Sequence, residues 1–374
     1  MMRRLRTLLR GLLLAFVSVT LTALAVEIGL RLFAPQALLH DPDAFIPDEQ
    51  LGARLTPGFT DRVVTTEFSS TWVINEKGYR GPLADKPRTA PVRVVALGDS
   101  FTFGYGVEET QTWPRLLQQS LNAGRGGDER VEVVNLGVGG YGTWQESIWL
   151  ERNWEELRPD LVILGFYVGN DPEDNARAVG TGDANAGAAT TAARPALPPR
   201  GERARRWLGS RLHLYSLVST RADELLVRLG LRRLVYPFEL ELLRVTESET
   251  TRRAWAATDV SLRRLAGFCR GKGTRLVVAL IPMKHQVSDS VWARLLRFYP
   301  SDAETFDRFR PQRIVKTLCV KDGVETIDLV EGLAESAART GEDGRVYYWP
   351  RDQHFNQAGH VQTAELLAEY LRPR

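Results

Sequence analysis

Four short blocks in this chain hold residue types that can act together as chemistry. Ser100 closes Val92-Arg-Val-Val-Ala-Leu-Gly-Asp-Ser100, an apolar run read as a buried strand that breaks at Gly98-Asp99-Ser100 before a helical pattern begins. In an open α/β sheet the ligand crevice lies outside the carboxyl ends of the strands, so a serine one residue past a strand can aim its hydroxyl at a bound molecule. Val131-Glu-Val-Val-Asn-Leu136 runs likewise into Gly137-Val-Gly-Gly140-Tyr-Gly142-Thr143. Leu161-Val-Ile-Leu164 runs through Gly165-Phe-Tyr-Val-Gly169 into Asn170-Asp171, and Asp352-Gln-His354 opens the last helical segment. A serine hydroxyl is a poor nucleophile until a neighbouring base takes its proton, and imidazole is the side chain suited to that task near neutrality. Attack on an ester carbonyl places negative charge on its oxygen, and each preorganised donor there contributes about 3 to 4 kcal/mol. Singly, each block also reads as a helix cap, a turn or loop punctuation; jointly and in this order they favour catalysis.

The four blocks resemble the SGNH (GDSL-type) hydrolase superfamily, in a membrane-tethered bacterial-type form, over roughly residues 92 to 371 and interrupted by an insertion. The resemblance implies Ser100 as nucleophile and His354 as general base, with Asp352 orienting the histidine. It implies an oxyanion hole made by the backbone N–H groups of Ser100 and Gly140 and the side-chain amide of Asn170. Many members place the acid three residues before the histidine, where this chain has Arg351. Asp352 lies two before, and residues i and i+2 of an extended segment project to the same side; a backbone carbonyl is the alternative support for His354. His360 falls on the expected last helix, Gln357 to Leu371, and reads as a packing residue. His40, His213 and His285 show no ligand-like spacing.

These blocks need a scaffold, and the pattern supplies one. Strand-like runs fall near 92 to 97, 131 to 136, 161 to 167, 275 to 281 and 324 to 328, with helical patterns near 112 to 122, 143 to 157, 252 to 271 and 305 to 321. Alternation of short β-branched runs with helices implies a parallel sheet covered on both faces, which suits Leu276-Val-Val-Ala-Leu-Ile281 with its lack of polar alternation. The resemblance makes this an α/β flavodoxin-like three-layer α/β/α sandwich with a five-stranded parallel sheet.

Outside the sheet, residues 1–34 read as a signal anchor or transmembrane segment. Arg3, Arg4, Arg6 and Arg10 precede sixteen uncharged residues, Gly11 to Val26. A span of about twenty residues is reached at Leu30 if Glu27 sits at the interface, which favours an uncleaved anchor; cleavage near Ala25, after Ala23-Leu-Ala25, is the alternative. The arginines remain in the cytosol, and the catalytic domain lies outside it. Residues 35–91 form a small β-rich lead-in, with strand candidates at Val63 to Phe68 and Thr71 to Ile74 and a turn at Asn75-Glu-Lys-Gly-Tyr-Arg-Gly81. Residues 92–374 are the hydrolase domain with an insertion at 172–250. Within it, 176–200, rich in Ala, Gly, Thr and Pro, is expected to be mobile, while 202–245 has helical spacing and is either a lid or a docked helical pair.

Composition narrows the rest. The chain has 49 Lys and Arg against 46 Asp and Glu, a net charge of +3, and residues 27–374 sum to −1, so nucleic-acid binding has no support. Ten arginines lie between 194 and 233; they form a solvated helix face or attract anionic lipid or an acidic polysaccharide. Cys269 and Cys319 leave one disulfide or two buried thiols open. The expected function is an extracytoplasmic serine esterase that removes an O-acyl, chiefly O-acetyl, group from an envelope glycan or lipid through an acyl-enzyme, needing no metal or organic cofactor. An O-acyltransferase on the same residues, or a non-catalytic glycan-binding or scaffold protein, are the alternatives. Trp144, Trp149, Tyr141 and Tyr167 could stack on sugar rings.

Overall fold

The computed structural model describes residues 2–372 apart from 35, 37–41, 66, 84–87, 89, 125–129, 180–204, 206–207, 210, 229–237 and 300–302. It falls into two compact units, one gathering Met1–Ala44, Val63–Phe68 and Leu197–Val235, the other Phe45–Arg62, Ser69–Ala196 and Tyr236–Arg374.

The first unit is built on helix α1 (Met2–Phe33). Its stretch Arg10–Phe33 is long and apolar enough to cross a membrane or to serve as a secretory signal, and it leaves Leu12, Leu13, Leu14, Phe16, Val19 and Leu21 exposed. Exposed apolar surface on this scale marks a membrane or partner contact. Glu27 is nearly buried. Its carboxylate accepts from Nε of Arg31 at 2.8 Å, from the backbone N–H of His213 at 3.1 Å and from that of Leu214 at 2.8 Å. These amides open the insertion's helix, His213–Arg228, where an anion satisfies orphan donors and the helix dipole together. Arg31 also donates to the Arg211 carbonyl at 2.6 Å.

In the second unit, β1 (Phe45–Asp48) pairs antiparallel with β2 (Gly52–Leu55). Strands β3 (Thr60–Val64), whose last two residues are counted in the first unit, and β4 (Ser69–Val73) form another two-stranded sheet. The expected strand at 63–68 is displaced because the Thr65 hydroxyl accepts from the N–H groups of Glu67 and Phe68, turning the chain there. The main sheet comprises β5 (Val92–Gly98), β6 (Val131–Asn135), β7 (Leu161–Tyr167), β8 (Arg275–Ile281) and β9 (Glu325–Asp328), all parallel, in the order β6-β5-β7-β8-β9. This is the flavodoxin-like order, whose direction reverses at β5.

Alternate residues of each strand serve opposite faces. Val94, Ala96, Val131, Val133, Leu161, Ile163, Val277 and Ala279 share one core with Trp113 and Leu117 of helix Trp113–Asn122 and with Ala364, Leu367 and Ala368 of helix Gln357–Leu371. Helices Thr143–Leu157, Asp171–Val179 and Glu249–Gly271 pack together as a second helical layer. Full burial of each such aliphatic side chain contributes about 1.5 to 3 kcal/mol.

One expectation changes here. Ala176 to Val179, expected to be mobile, is the last turn of the helix Asp171–Val179, held by packing on Glu249–Gly271; residues 180–200 lie outside the described residues. In the 202–245 segment the described helices include His213–Arg228 and Phe238–Glu241, and 202–204, 206–207, 210 and 229–237 lie outside. Cys269 and Cys319 are free, buried thiols.

Candidate active site

Gly98 leaves β5 at φ +148°, and a Cβ there would strike the Thr102 side chain and come within 2.8 Å of the Gly165 carbonyl. Only glycine permits this exit. Asp99 then caps a one-turn helix, Ser100–Phe103, by accepting from the Phe101 N–H at 2.9 Å, which presents Ser100 at the carboxyl edge of the sheet. At the other end of the chain, Tyr348 and Phe355 bridge as antiparallel partners and the His354 carbonyl accepts from the Trp349 N–H at 3.1 Å. This narrow loop carries His354 to the serine.

Ser100 Oγ lies 2.7 Å from His354 Nε2, and His354 Nδ1 lies 2.6 Å from Asp352 Oδ1. The same Oδ1 accepts from the His354 backbone N–H at 2.8 Å. With Nδ1 protonated and donating to Asp352, Nε2 is free to accept the serine proton. Burial alone would raise the Asp352 pKa, but the hydrogen bonds and charge of His354, with the Lys284 ammonium, bring it below the usual carboxylate value. Asp352 is therefore an anion at neutral pH, as support of an imidazolium requires.

The loop after β6 and the segment after β7 both reach the serine turn. A Cβ at Gly139 would sit 3.8 Å from Ser100 Cβ, so the glycine loop after β6 runs beside the serine. Gly140 has φ +78° and open space around its α-carbon; the left-handed backbone, rather than a close approach, calls for glycine there. Asn170, at the end of β7, hydrogen-bonds through its side chain to the Asp99 carboxylate. His360 is buried, and its Nδ1 accepts from the Trp113 N–H at 3.2 Å; burial and the nearby Arg80 charge lower its pKa to about 3.

Sequence reasoning missed several residues around the site. Phe101 and Tyr105 flank the imidazole at ring-centroid distances of 5.0 and 4.7 Å, and both stand inside the serine block. Arg80, from the turn at 75–81, is buried and donates to the carbonyls of Phe103, Gly104 and Val107 at 2.7, 2.6 and 2.7 Å. It fixes the chain that leaves Ser100. Burial lowers its pKa to about 10. Of the aromatics considered for sugar stacking, Tyr141, Trp149 and Tyr167 are core residues, and Trp144 lies under the Arg264 guanidinium at 4.9 Å.

A layer of buried carboxyls lies beneath Ser100. Asp99, Glu146, Asp171 and Asp174 are each nine-tenths or more buried. Burial first, and then their mutual repulsion, raises the pKa of Glu146 and Asp171; burial raises that of Asp99, and that of Asp174 to about 7. Asp99 Oδ2, Asp171 Oδ1 and both Glu146 carboxyl oxygens find no partner among the described residues, and protonated carboxyls supply the O–H donors that such acceptors need.

A parallel sheet with a hydrogen-bonded Ser-His-Asp chain at its carboxyl edge is a framework for serine-hydrolase chemistry. The family model of the GDSL-like lipase/acylhydrolase family matches residues 96–362. The chain belongs to that family and is a serine hydrolase acting on carboxylic esters. No curated protein matches the sequence. Among solved structures it is similar to the acetyl xylan esterase AlAXEase, at 14% identity over 75% of this chain and 100% of that one, TM-score 0.42. It is also similar to a putative lipolytic protein of the G-D-S-L family from Desulfitobacterium hafniense, at 14% over 75% and 99%, TM-score 0.39. A third is a two-domain esterase active on acetylated mannans, at 10% over 76% and 49%, TM-score 0.41.

Proposed function

We propose that the protein is an extracytoplasmic, membrane-tethered serine esterase that removes O-acyl groups, acetyl foremost, from an envelope glycan or lipid. The observation that carries this reading is the 2.7 Å contact between Ser100 Oγ and His354 Nε2, continued to Asp352 at 2.6 Å. Ser100 Oγ attacks the ester carbonyl while His354 Nε2 takes its proton. The oxyanion is held by the N–H groups of Ser100 and Gly140, neither of which has an acceptor among the described residues, and by the Asn170 amide. His354 then returns the proton to the departing alcohol, leaving the acyl group on Ser100. Water, deprotonated by the same imidazole, displaces the acyl group as its acid and restores the serine. The apolar Arg10–Phe33 stretch behind four arginines supports tethering with the catalytic unit outside the cytosol.

The test is hydrolysis of 4-nitrophenyl acetate, butyrate and octanoate by the detergent-solubilised full chain. Turnover fastest on acetate and at least a thousandfold lower in Ser100→Ala is expected. Equal rates in the two folded proteins would refute the assignment of Ser100.

A further inference from the structure

A cleft of about 810 Å³ opens beside the loop that carries His354, lined by Lys284, His285, Arg294, Arg345, Trp349 and Gln353 among others. Gln353 is the neighbour of His354 in the chain. Lys284 stands three residues past the end of β8, so the cleft lies at the same carboxyl edge of the sheet as Ser100. Its charge is lopsided: two arginines and a lysine face Glu239 alone. Arg294 and Arg345 are exposed, and among the described residues neither guanidinium has an ion-pair partner. His285 is 7% exposed, and its Nε2 has no hydrogen-bond partner among the described residues. The Lys284 ammonium donates to the carbonyls of Trp349 and Pro350 at 2.7 and 2.9 Å, which fixes that wall.

We propose that this cleft is a subsite for an anionic sugar residue of the acylated substrate, with Arg294 and Arg345 holding its carboxylate or phosphate and Trp349 lying against the ring. The inference deepens the esterase reading and rests on it. Guanidinium groups bind carboxylate and phosphate through paired N–H donors, and two left unpaired in one cleft beside a catalytic loop are free for such an anion. A polyhydroxylated ligand suits the interior better than an acyl chain, because a hydrocarbon would seal the unpartnered His285 nitrogen away from any hydrogen bond. Burial raises the pKa of Glu239, which weakens its opposition to a bound anion. The volume lies in the upper part of the usual range for ligand sites and leaves room for more than one sugar unit.

The experiment measures binding apart from turnover. Full-chain Ser100→Ala protein is titrated calorimetrically with tetragalacturonate, with a phosphorylated tetrasaccharide and with neutral xylotetraose, before and after adding Arg294→Gln and Arg345→Gln. Tighter binding of at least one anionic oligosaccharide than of xylotetraose, by tenfold or more, is expected, with that preference abolished by the two arginine changes. The two anionic arms separate carboxylate from phosphate. Equal affinity for charged and neutral sugars, absence of binding, or a preference indifferent to the arginines would overturn the proposal. So would arginine-dependent binding to phosphatidylglycerol vesicles without saccharide binding. The arginine double variant with Ser100 intact should hydrolyse 4-nitrophenyl acetate at the wild-type rate, and a parallel loss there would also overturn it. Failure of wild type to hydrolyse that ester would sink the esterase reading instead.

Discussion

Replacing Asp174 by Asn should remove one carboxyl's share of the pH dependence of stability that the buried layer imposes. Asp174 is 6% exposed, and burial, with the neighbouring charges of Asp99 and Glu173, raises its pKa from 3.8 to about 7 despite the opposing Arg177. Between those values the folded state holds a proton that the unfolded chain has released. Stability therefore falls as pH rises through the window, by about 4 kcal/mol when complete. Below pH 3.8 the group contributes nothing of this kind, and above about pH 7 the full cost is present. Asn has no proton to lose, and its loss of the exposed Arg177 partner costs less than about 1 kcal/mol. The variant should gain on wild type by roughly 3 to 4 kcal/mol between pH 4 and pH 8. Urea unfolding of the detergent-solubilised full chain at pH 4, 6 and 8, followed by tryptophan fluorescence, measures it. Parallel stability curves for the two proteins would refute the reasoning.

Asp352→Asn should lower kcat for 4-nitrophenyl acetate by roughly 10²- to 10⁴-fold with little change in KM, because an amide oriented to satisfy the His354 N–H groups cannot stabilise the imidazolium as a carboxylate does; steady-state kinetics decide, and a loss under tenfold would assign orientation to a backbone carbonyl. Gly98→Ala should destabilise the protein by on the order of 2 to 4 kcal/mol, since the new methyl meets Thr102 at a φ that disfavours side chains; urea midpoints measure this, and a midpoint equal to wild type would contradict it.

The five sheet strands were legible because a strand buried on both faces is written as an unbroken β-branched run bounded by turn residues, as in Leu276–Ile281. Other elements carried weaker marks. Pro47 within Phe45–Asp48 argues against a strand, and this one survives on a sheet of only two strands, where proline is tolerated. Helix Leu329–Arg339 was missed because Asp328 is at once the end of β9 and the N-cap, accepting from the Val330 N–H, so no turn residues separate strand from helix. Lys284–Val287 and Asp289–Phe298 escaped because Ser288 divides them into pieces of four and ten residues, the first too short for a helical period. Glu27 read as an interfacial charge; its role at the start of His213–Arg228 depends on a pairing 186 residues distant that no local pattern encodes.

The site shows the same division between local and distant information. Asp352 two residues before His354 suffices geometrically because one carboxylate oxygen takes both the ring Nδ1–H and the backbone N–H of the same residue, so a tight local turn sets the imidazole without an acid at position 351. That turn would be free to swing were its base not tied, and the ties come from afar. Lys284, after β8, grips the carbonyls of Trp349 and Pro350, and the Tyr348 hydroxyl donates to the Pro282 carbonyl at 2.8 Å. Lys284 also lends positive charge to Asp352, so one ammonium both anchors the loop and favours the ionised acid. On the serine side Arg80 does the corresponding work through backbone carbonyls. Sequence blocks identify which groups can react; the loops that carry Ser100 and His354 are held in part by Arg80 and Lys284, two buried cations whose hydrogen bonds to carbonyl oxygens leave no side-chain signature in the sequence.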